Sequence, residues 1–240
     1  MFLDVLSVKV GWGLREEAAE ACAARLSRMI EGLASVYPGF AGLQWRGTGQ
    51  QVSTRVVLEL GRANGLAPLL KRQRVYHSGR KRIVVDGYRF EAGCHTEDER
   101  PIVLSVRAGS GADLPDRAWL PNEISLSFVL SGGEGDLAIF RALKLILLTL
   151  VKAWEPDWGG LYSAVYGARS KDPMRSRFSG AWMVYLTEPL AKGFAAPASA
   201  VVEPYSEGAL LVSATSGPFN IENAEQLSIA DAIHVAFRTR

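Results

Sequence analysis

The sequence predicts an α+β fold: a mixed, largely antiparallel sheet with packed helices, in two similar halves. Three observations carry this expectation. Strand-like alternation and helix-like spacing both occur, but without the regular strand–helix cadence of a doubly wound protein. The same opening of strand, glycine turn and long helix occurs twice. Both helices then stop on one pattern, Pro-x-aromatic-x-Gly-Leu, at Pro38–Leu43 and at Pro156–Leu161. A single domain over 1–240 is expected, with pseudo-repeated halves 1–115 and 116–240. A chain of 240 residues buries a sufficient core without disulfides or metals.

In chain order, Val8, Val10 and Trp12 alternate with Lys9 and Gly11, which is a strand. A helix is expected from Leu14 to Tyr37, with Leu26, Met29, Ile30 and Leu33 on one face and Glu16 and Glu17 in its first turn. Strands are expected at Val52–Leu60, Arg82–Phe90 and Ile102–Arg107. The second half opens with the alternating strand Ile124–Leu130 and a glycine-rich turn, with Asp136 as cap of the next helix. That helix, Leu137–Trp154, is apolar almost all round apart from Arg141, Lys144 and Lys152, so it is expected to be buried on most sides. Strands at Trp182–Leu186 and Ala209–Thr215 and a helix at Glu222–Phe237 complete the reading. Ser110–Pro121 and Gly167–Ser179 are read as the least ordered stretches.

Composition narrows the function without naming it. Lys plus Arg number 27 and Asp plus Glu 25, a net charge of +2, so no overall excess points to nucleic acid or an anionic membrane. The opening residues lack a basic region and an apolar core, and Leu137–Trp154 is too short and too charged to span a bilayer. Two isolated cysteines, Cys22 and Cys94, fit a reducing compartment. A cytoplasmic protein is expected.

No catalytic or metal constellation stands out. Gly133–Ala138 formally matches a dinucleotide-binding fingerprint, but Glu134 and Asp136 would repel a pyrophosphate. Cys94-His95-Thr96-Glu97-Asp98 gathers ligand-type residues without metal-site spacing. There is no Gly-x-Ser-x-Gly, and His234 falls on the apolar face of the last helix. The run Lys71–Arg82 is strongly basic and reads either as a solvated connection or as a nucleic-acid contact. No catalytic residue, metal or cofactor is expected, nor direct contact with nucleic acid. Enzymatic or nucleotide-binding use of Gly133–Ala138, and nucleic-acid binding by Lys71–Arg82, are the alternatives.

Charge is segregated along the chain. From Gly193 to Phe237 there is no Lys or Arg, while Glu203, Glu207, Glu222, Glu225 and Asp231 all lie there. Glu155 and Asp157 sit between Trp154 and Trp158 in the turn after the second long helix. Acids with an aromatic on a rigidly anchored turn suit a protein interface.

Several segments, in this order and spacing, resemble the bacterial immunity protein 52 family of polymorphic-toxin and type VI secretion systems. They are Tyr37–Phe40 with Trp45, Trp154–Gly159, Gly180–Trp182 with Tyr185-Leu186, and Gly208–Thr215 followed by Phe219 and Asn223. The resemblance implies a non-catalytic partner of a cognate toxin, a nuclease of the restriction-endonuclease type, inhibited by occlusion. Under it, Glu155, Asp157 and Trp158 are expected contact residues, with Glu203, Glu207, Glu222 and Glu225 adding contact or steering. Truncating Glu155 or Asp157 is expected to weaken toxin binding and leave the melting temperature nearly unchanged; the competing account keeps Trp158 in the core and leaves both acids as a solvated helix end.

Overall fold

The computed structural model describes residues 4–45, 56–57, 63–78, 83–95, 101–111, 122–130, 134–169 and 178–238. In chain order the elements are β1 (Asp4–Trp12), α1 (Ala19–Val36), a 3₁₀ turn (Pro38–Gly42), β2 (Gln44–Trp45), β3 (Val56–Val57), α2 (Ala63–Arg72), β4 (Arg74–Ser78), β5 (Ile83–His95), β6 (Pro101–Ala108) and β7 (Asn122–Leu130). Then come α3 (Glu134–Trp154), β8 (Trp158–Ser163), α4 (Ala164–Arg169), β9 (Ala181–Leu186), α5 (Glu188–Ala191), β10 (Val201–Pro204), a second 3₁₀ turn (Ser206–Gly208), β11 (Leu210–Ser213) and α6 (Ala224–Arg238). The protein is α+β.

One sheet runs through both halves in the order β10-β11-β9-β8-β1-β7-β6-β5-β2-β3, with β4 paired to β5. Every neighbouring pair among the described residues is antiparallel. The two halves meet where their first strands, β1 and β7, pair over their whole length from Asp4↔Leu130 to Trp12↔Asn122. A long helix follows each of these two strands. α3 leaves β7, crosses β1 and delivers the chain to β8, on the far side of β1. α1 leaves β1 and delivers it to β2, beyond β7, β6 and β5. The two strand–helix crossings thus differ in how far they reach.

Alternation decides which face is core. Leu6, Val8, Val10 and Trp12 of β1, Ile124, Leu126, Phe128 and Leu130 of β7, and Ile102, Leu104 and Val106 of β6 are all buried. They lie under α1, α2 and α3. α1 buries Leu26, Met29, Ile30 and Leu33, and Trp154 at the end of α3 stacks on Trp12 with centroids 5.4 Å apart. On the opposite face, among the described residues, α4 packs on β1 and β8, and α6 on β9 and β11. There Trp182 stacks on Phe219 at 5.4 Å, and Trp158 meets Phe178, which stacks on Phe237 of α6. Over β1 and β7 the same face carries half-buried Ser7, Lys9, Ser125 and Ser127.

Two expectations need correcting. α1 starts at Ala19, not Leu14, because Arg15 and Glu17 are engaged elsewhere and residues 14–18 stay outside the helix, with Ala18 extended. The basic run 71–82 is not a plain loop: Lys71 and Arg72 end α2, and Arg74–Ser78 form β4. Residues 79–82 lie outside the described residues, as do most of the strand expected at 52–60, residues 112–121 and residues 170–177. Gly167–Arg169, read as poorly ordered, close α4.

Candidate functional site

The end of α3 is built unusually. A helix commonly stops on a residue with left-handed backbone, and that residue is usually glycine, because a side chain there is strained. Here the stop is Glu155, with φ of 48° and its N–H still bonded to the Val151 carbonyl at 2.8 Å. Its carboxylate also sits at the negative end of the helix dipole, where acids are disfavoured. Two arginines offset this. Arg15 donates to the Trp154 carbonyl at 2.8 Å and the Glu155 carbonyl at 3.3 Å while lying over the Trp12 ring. Arg25 donates to the Ala153 carbonyl and to Glu155 Oε2, each at 3.1 Å, and its Nε pairs with Glu17 at 2.9 Å. Burial works against the charge on Arg25, but Glu17 and Glu155 outweigh it and hold its pKa above the ordinary value.

Beside this helix end opens a cleft of about 420 Å³, a size that takes one or two side chains. It lies between the last turn of α3, the start of α5 and the Ser206–Gly208 turn. Val151, Lys152, Glu155, Tyr185, Glu188, Tyr205 and Glu207 line it. Glu207 has φ of 53°. Among the described residues, Glu155 and Glu207 are the two non-glycine positions with left-handed backbone, and both border this cleft. Strain of this kind costs on the order of 1–3 kcal/mol per residue and collects at functional positions. Tyr185 and Tyr205 meet edge to face, centroids 5.8 Å apart at 88°. Burial, then the nearby Tyr205, Glu207 and Asp157, push the Tyr185 hydroxyl's pKa up. The cleft is electrostatically negative and lined by aromatics.

The structure separates the acids that the sequence grouped. Glu155 and Glu207 converge on the cleft. Glu203 of β10 is held by Lys144 of α3 at 2.5 Å. Asp157 is exposed but tied to the fold: its Oδ2 accepts the Gly13 N–H at 2.8 Å. Its own N–H donates to the Gly11 carbonyl, and its carbonyl accepts from the Thr187 N–H and hydroxyl. It ties β1, β8 and the start of α5 together. Trp158 is 2% exposed, in β8, filling the space above Gly11, where an added Cβ would sit 2.5 Å from the ring. Its indole is core and offers no contact surface. Glu222 and Glu225 stand on the other face of the sheet, with α4 and α6. Glu222 pairs with Arg169 at 3.2 Å, and Glu225 is in the first turn of α6, where Asn223 caps the helix by accepting the Glu225 and Gln226 N–H groups.

Sequence reasoning missed Glu188, Tyr185 and Tyr205. Glu188 reads only as a residue before Pro189 in a short helix start, yet it packs beside Gly208, where an added Cβ would meet its side chain at 3.0 Å. The signal available was the alternation of β9, which puts Tyr185 on the α3 side.

The alternative readings gain nothing specific. Gly135–Ala138 lie within α3, and Gly133 is outside the described residues. Lys71 pairs with Glu20. Cys94 is buried in β5, and residues 96–98 lie outside the described residues. Among the described residues, no group of three metal-ligating side chains is found, and no helix is long and apolar enough to cross a membrane.

A family model described as immunity protein 52 matches residues 6–239. Among solved structures, the chain resembles one titled "Pseudomonas aeruginosa T6SS protein PA0821", with a TM-score of 0.51 and 12% identity over 98% of this chain and 72% of that one. At that identity the likeness concerns the fold. No curated protein matches the sequence.

Proposed function

The chain belongs to the immunity protein 52 family, and from that premise we propose that it protects its own cell against a toxin effector of a type VI secretion system. It acts in the cytoplasm by binding the toxin, without chemistry of its own. The toxin is a nuclease, and inhibition is by occlusion of its substrate groove or active site. The observation that carries this reading is the family match, which extends over nearly the whole chain. The fold likeness to a protein titled as part of that secretion system supports it.

The contact surface includes the α3 end and its cleft. Glu155 supports this: two costs, left-handed backbone and an acid at a helix C-terminus, fall on one exposed side chain. A glycine would avoid both. Rigid presentation suits binding, because little ordering remains to be done when the partner arrives. Glu222 and Glu225 act at longer range, on association rate and salt dependence rather than on residence time. Asp157 and Trp158 contribute by holding the turn in place.

Co-expression with the toxin encoded by the neighbouring gene tests the proposal. Cells should survive, and the two proteins should purify as one complex. Failure both to protect and to co-purify would end the immunity reading. A toxin whose killing leaves DNA and RNA intact would end the nuclease part alone.

A further inference from the structure

The cleft beside α3 is specific enough to say what enters it. Glu188 and Glu207 line it and make no ion pair among the described residues. Glu155 adds a third carboxylate at its edge, half engaged by Arg25. Lys152 also borders the cleft, but it is exposed on the last turn of α3, where its ammonium can stay in water near the helix's negative end. Carboxylates therefore outnumber cations at the mouth.

Tyr185 is the independent observation. It is 6% exposed and lines the cleft, and its hydroxyl makes no hydrogen bond among the described residues. The rest of the side chain is buried and the hydroxyl opens on the cleft, where a ligand atom can supply the partner that the protein does not. The rings of Tyr185 and Tyr205, crossed at 88°, add a π surface beside these acceptors.

We propose that this cleft receives one arginine side chain of the toxin, its guanidinium between the carboxylates of Glu188 and Glu207, against Tyr205 and donating to the Tyr185 hydroxyl. The proposal rests on the immunity reading for the identity of the partner, though not for the chemistry of the cleft. Arginine fits better than lysine. Its planar fork reaches several acceptors at once, it stacks on aromatic rings, and it is more weakly hydrated than an ammonium. The cleft's volume of about 420 Å³ leaves room for the side chain and bridging waters.

The test has two arms. In the first, N-acetyl-arginine methylamide and its neutral citrulline isostere are titrated into the protein by NMR. The arginine compound should shift the amides of 185 and 205–209 saturably, and the citrulline compound should not. E188Q/E207Q should weaken that binding about tenfold, and Tyr185→Phe should weaken it measurably at unchanged melting temperature. Equal shifts from citrulline, or unchanged binding by the double variant, would overturn the proposal. In the second arm, the complex with the neighbouring-gene toxin should dissociate about tenfold faster with E188Q/E207Q. If the toxin holds both forms equally, the cleft proposal fails while the immunity reading stands. If it holds neither, the immunity reading fails and the arginine titration alone decides the cleft.

Discussion

The two helix ends that share the pattern Pro-x-aromatic-x-Gly-Leu fold differently. After α1, Tyr37 is extended and Pro38–Gly42 wind into a 3₁₀ turn that plants Phe40 edge-on against Phe128 of the sheet. After α3, Glu155 turns left-handed and the chain passes at once into β8, with Trp158 as its first residue. The first end is closed by an aromatic plug, and the second opens on the acidic cleft. Identical stop signals thus leave the path of the chain undecided. What lies beneath decides it: α3 ends directly above the free side of β1, where a strand can add, whereas α1 must carry the chain past β7, β6 and β5 to the edge.

The sharpest way to break this comparison is at the pattern's glycine. An added Cβ at Gly42 meets nothing within 4 Å, while at Gly160 it would lie 3.0 Å from the Tyr162 ring and 3.1 Å from the Met183 carbonyl. Gly160→Ala should destabilise the protein by about 1–3 kcal/mol through overpacking. Gly42→Ala should be neutral or stabilising by up to about 1 kcal/mol, because it restricts the unfolded chain. Equal effects in denaturant melts would mean that the two ends are packed alike.

Asp157 is next in size. Asp157→Ala leaves the Gly13 N–H without its acceptor and should cost about 1 kcal/mol. Gly39, at the same place in the first copy, bears no such tie. A melting temperature unmoved by Asp157→Ala would restore the view of this acid as merely solvated.

Glu155→Gly sets stability against binding. Relief of the left-handed side chain should return about 1 kcal/mol, and loss of the exposed pair with Arg25 should cost less than about 1 kcal/mol. The variant should melt at or slightly above the wild-type temperature while holding the toxin less well. Clear destabilisation would show that the arginine contacts, not the backbone, govern this helix end.

The smallest effect concerns Cys22, on α1. Burial raises its thiol pKa from 9.0 to about 12. The unfolded chain loses that proton first, so the thiol's contribution to stability is complete below pH 9 and is lost as pH rises toward 12. Alkylation at pH 8 should therefore follow unfolding, and Cys22→Ser should flatten the alkaline decline in stability. Fast labelling of Cys22 in the native protein would contradict its burial.

Local signals that depend only on neighbours along the chain were readable directly. β1, β6, β7, β9 and β11 alternate or run apolar, α3 and α6 carry their faces openly, and both long helices end at Pro. β8 was hidden because Gly159 and Gly160 interrupt it and both its faces are covered, which erases period-2 alternation. The start of α1 departs from the local pattern because Arg15 is recruited by the end of α3, more than a hundred residues away, and Glu17 pairs with Arg25, which reaches the same helix end. The cleft followed the same rule. The acids of 155 and 207 were visible as charge, but Tyr185, Glu188 and Tyr205 join them only once β9 and the Ser206–Gly208 turn are laid beside α3.

By itself, then, the sequence determined an α+β chain with two long helices that stop at proline, two isolated cysteines and an acid-rich C-terminal stretch. Hydrophobic period and backbone propensity are properties of neighbouring residues, so they survive in one dimension. Only the tertiary structure decided that Trp158 is core and Asp157 a tie, and that Glu155 and Glu207 face one another's cleft while Glu222 and Glu225 stand across the sheet. Whether a carboxylate is free or bound depends on which distant donor the fold brings within about 3 Å of it, and residue order does not record that distance.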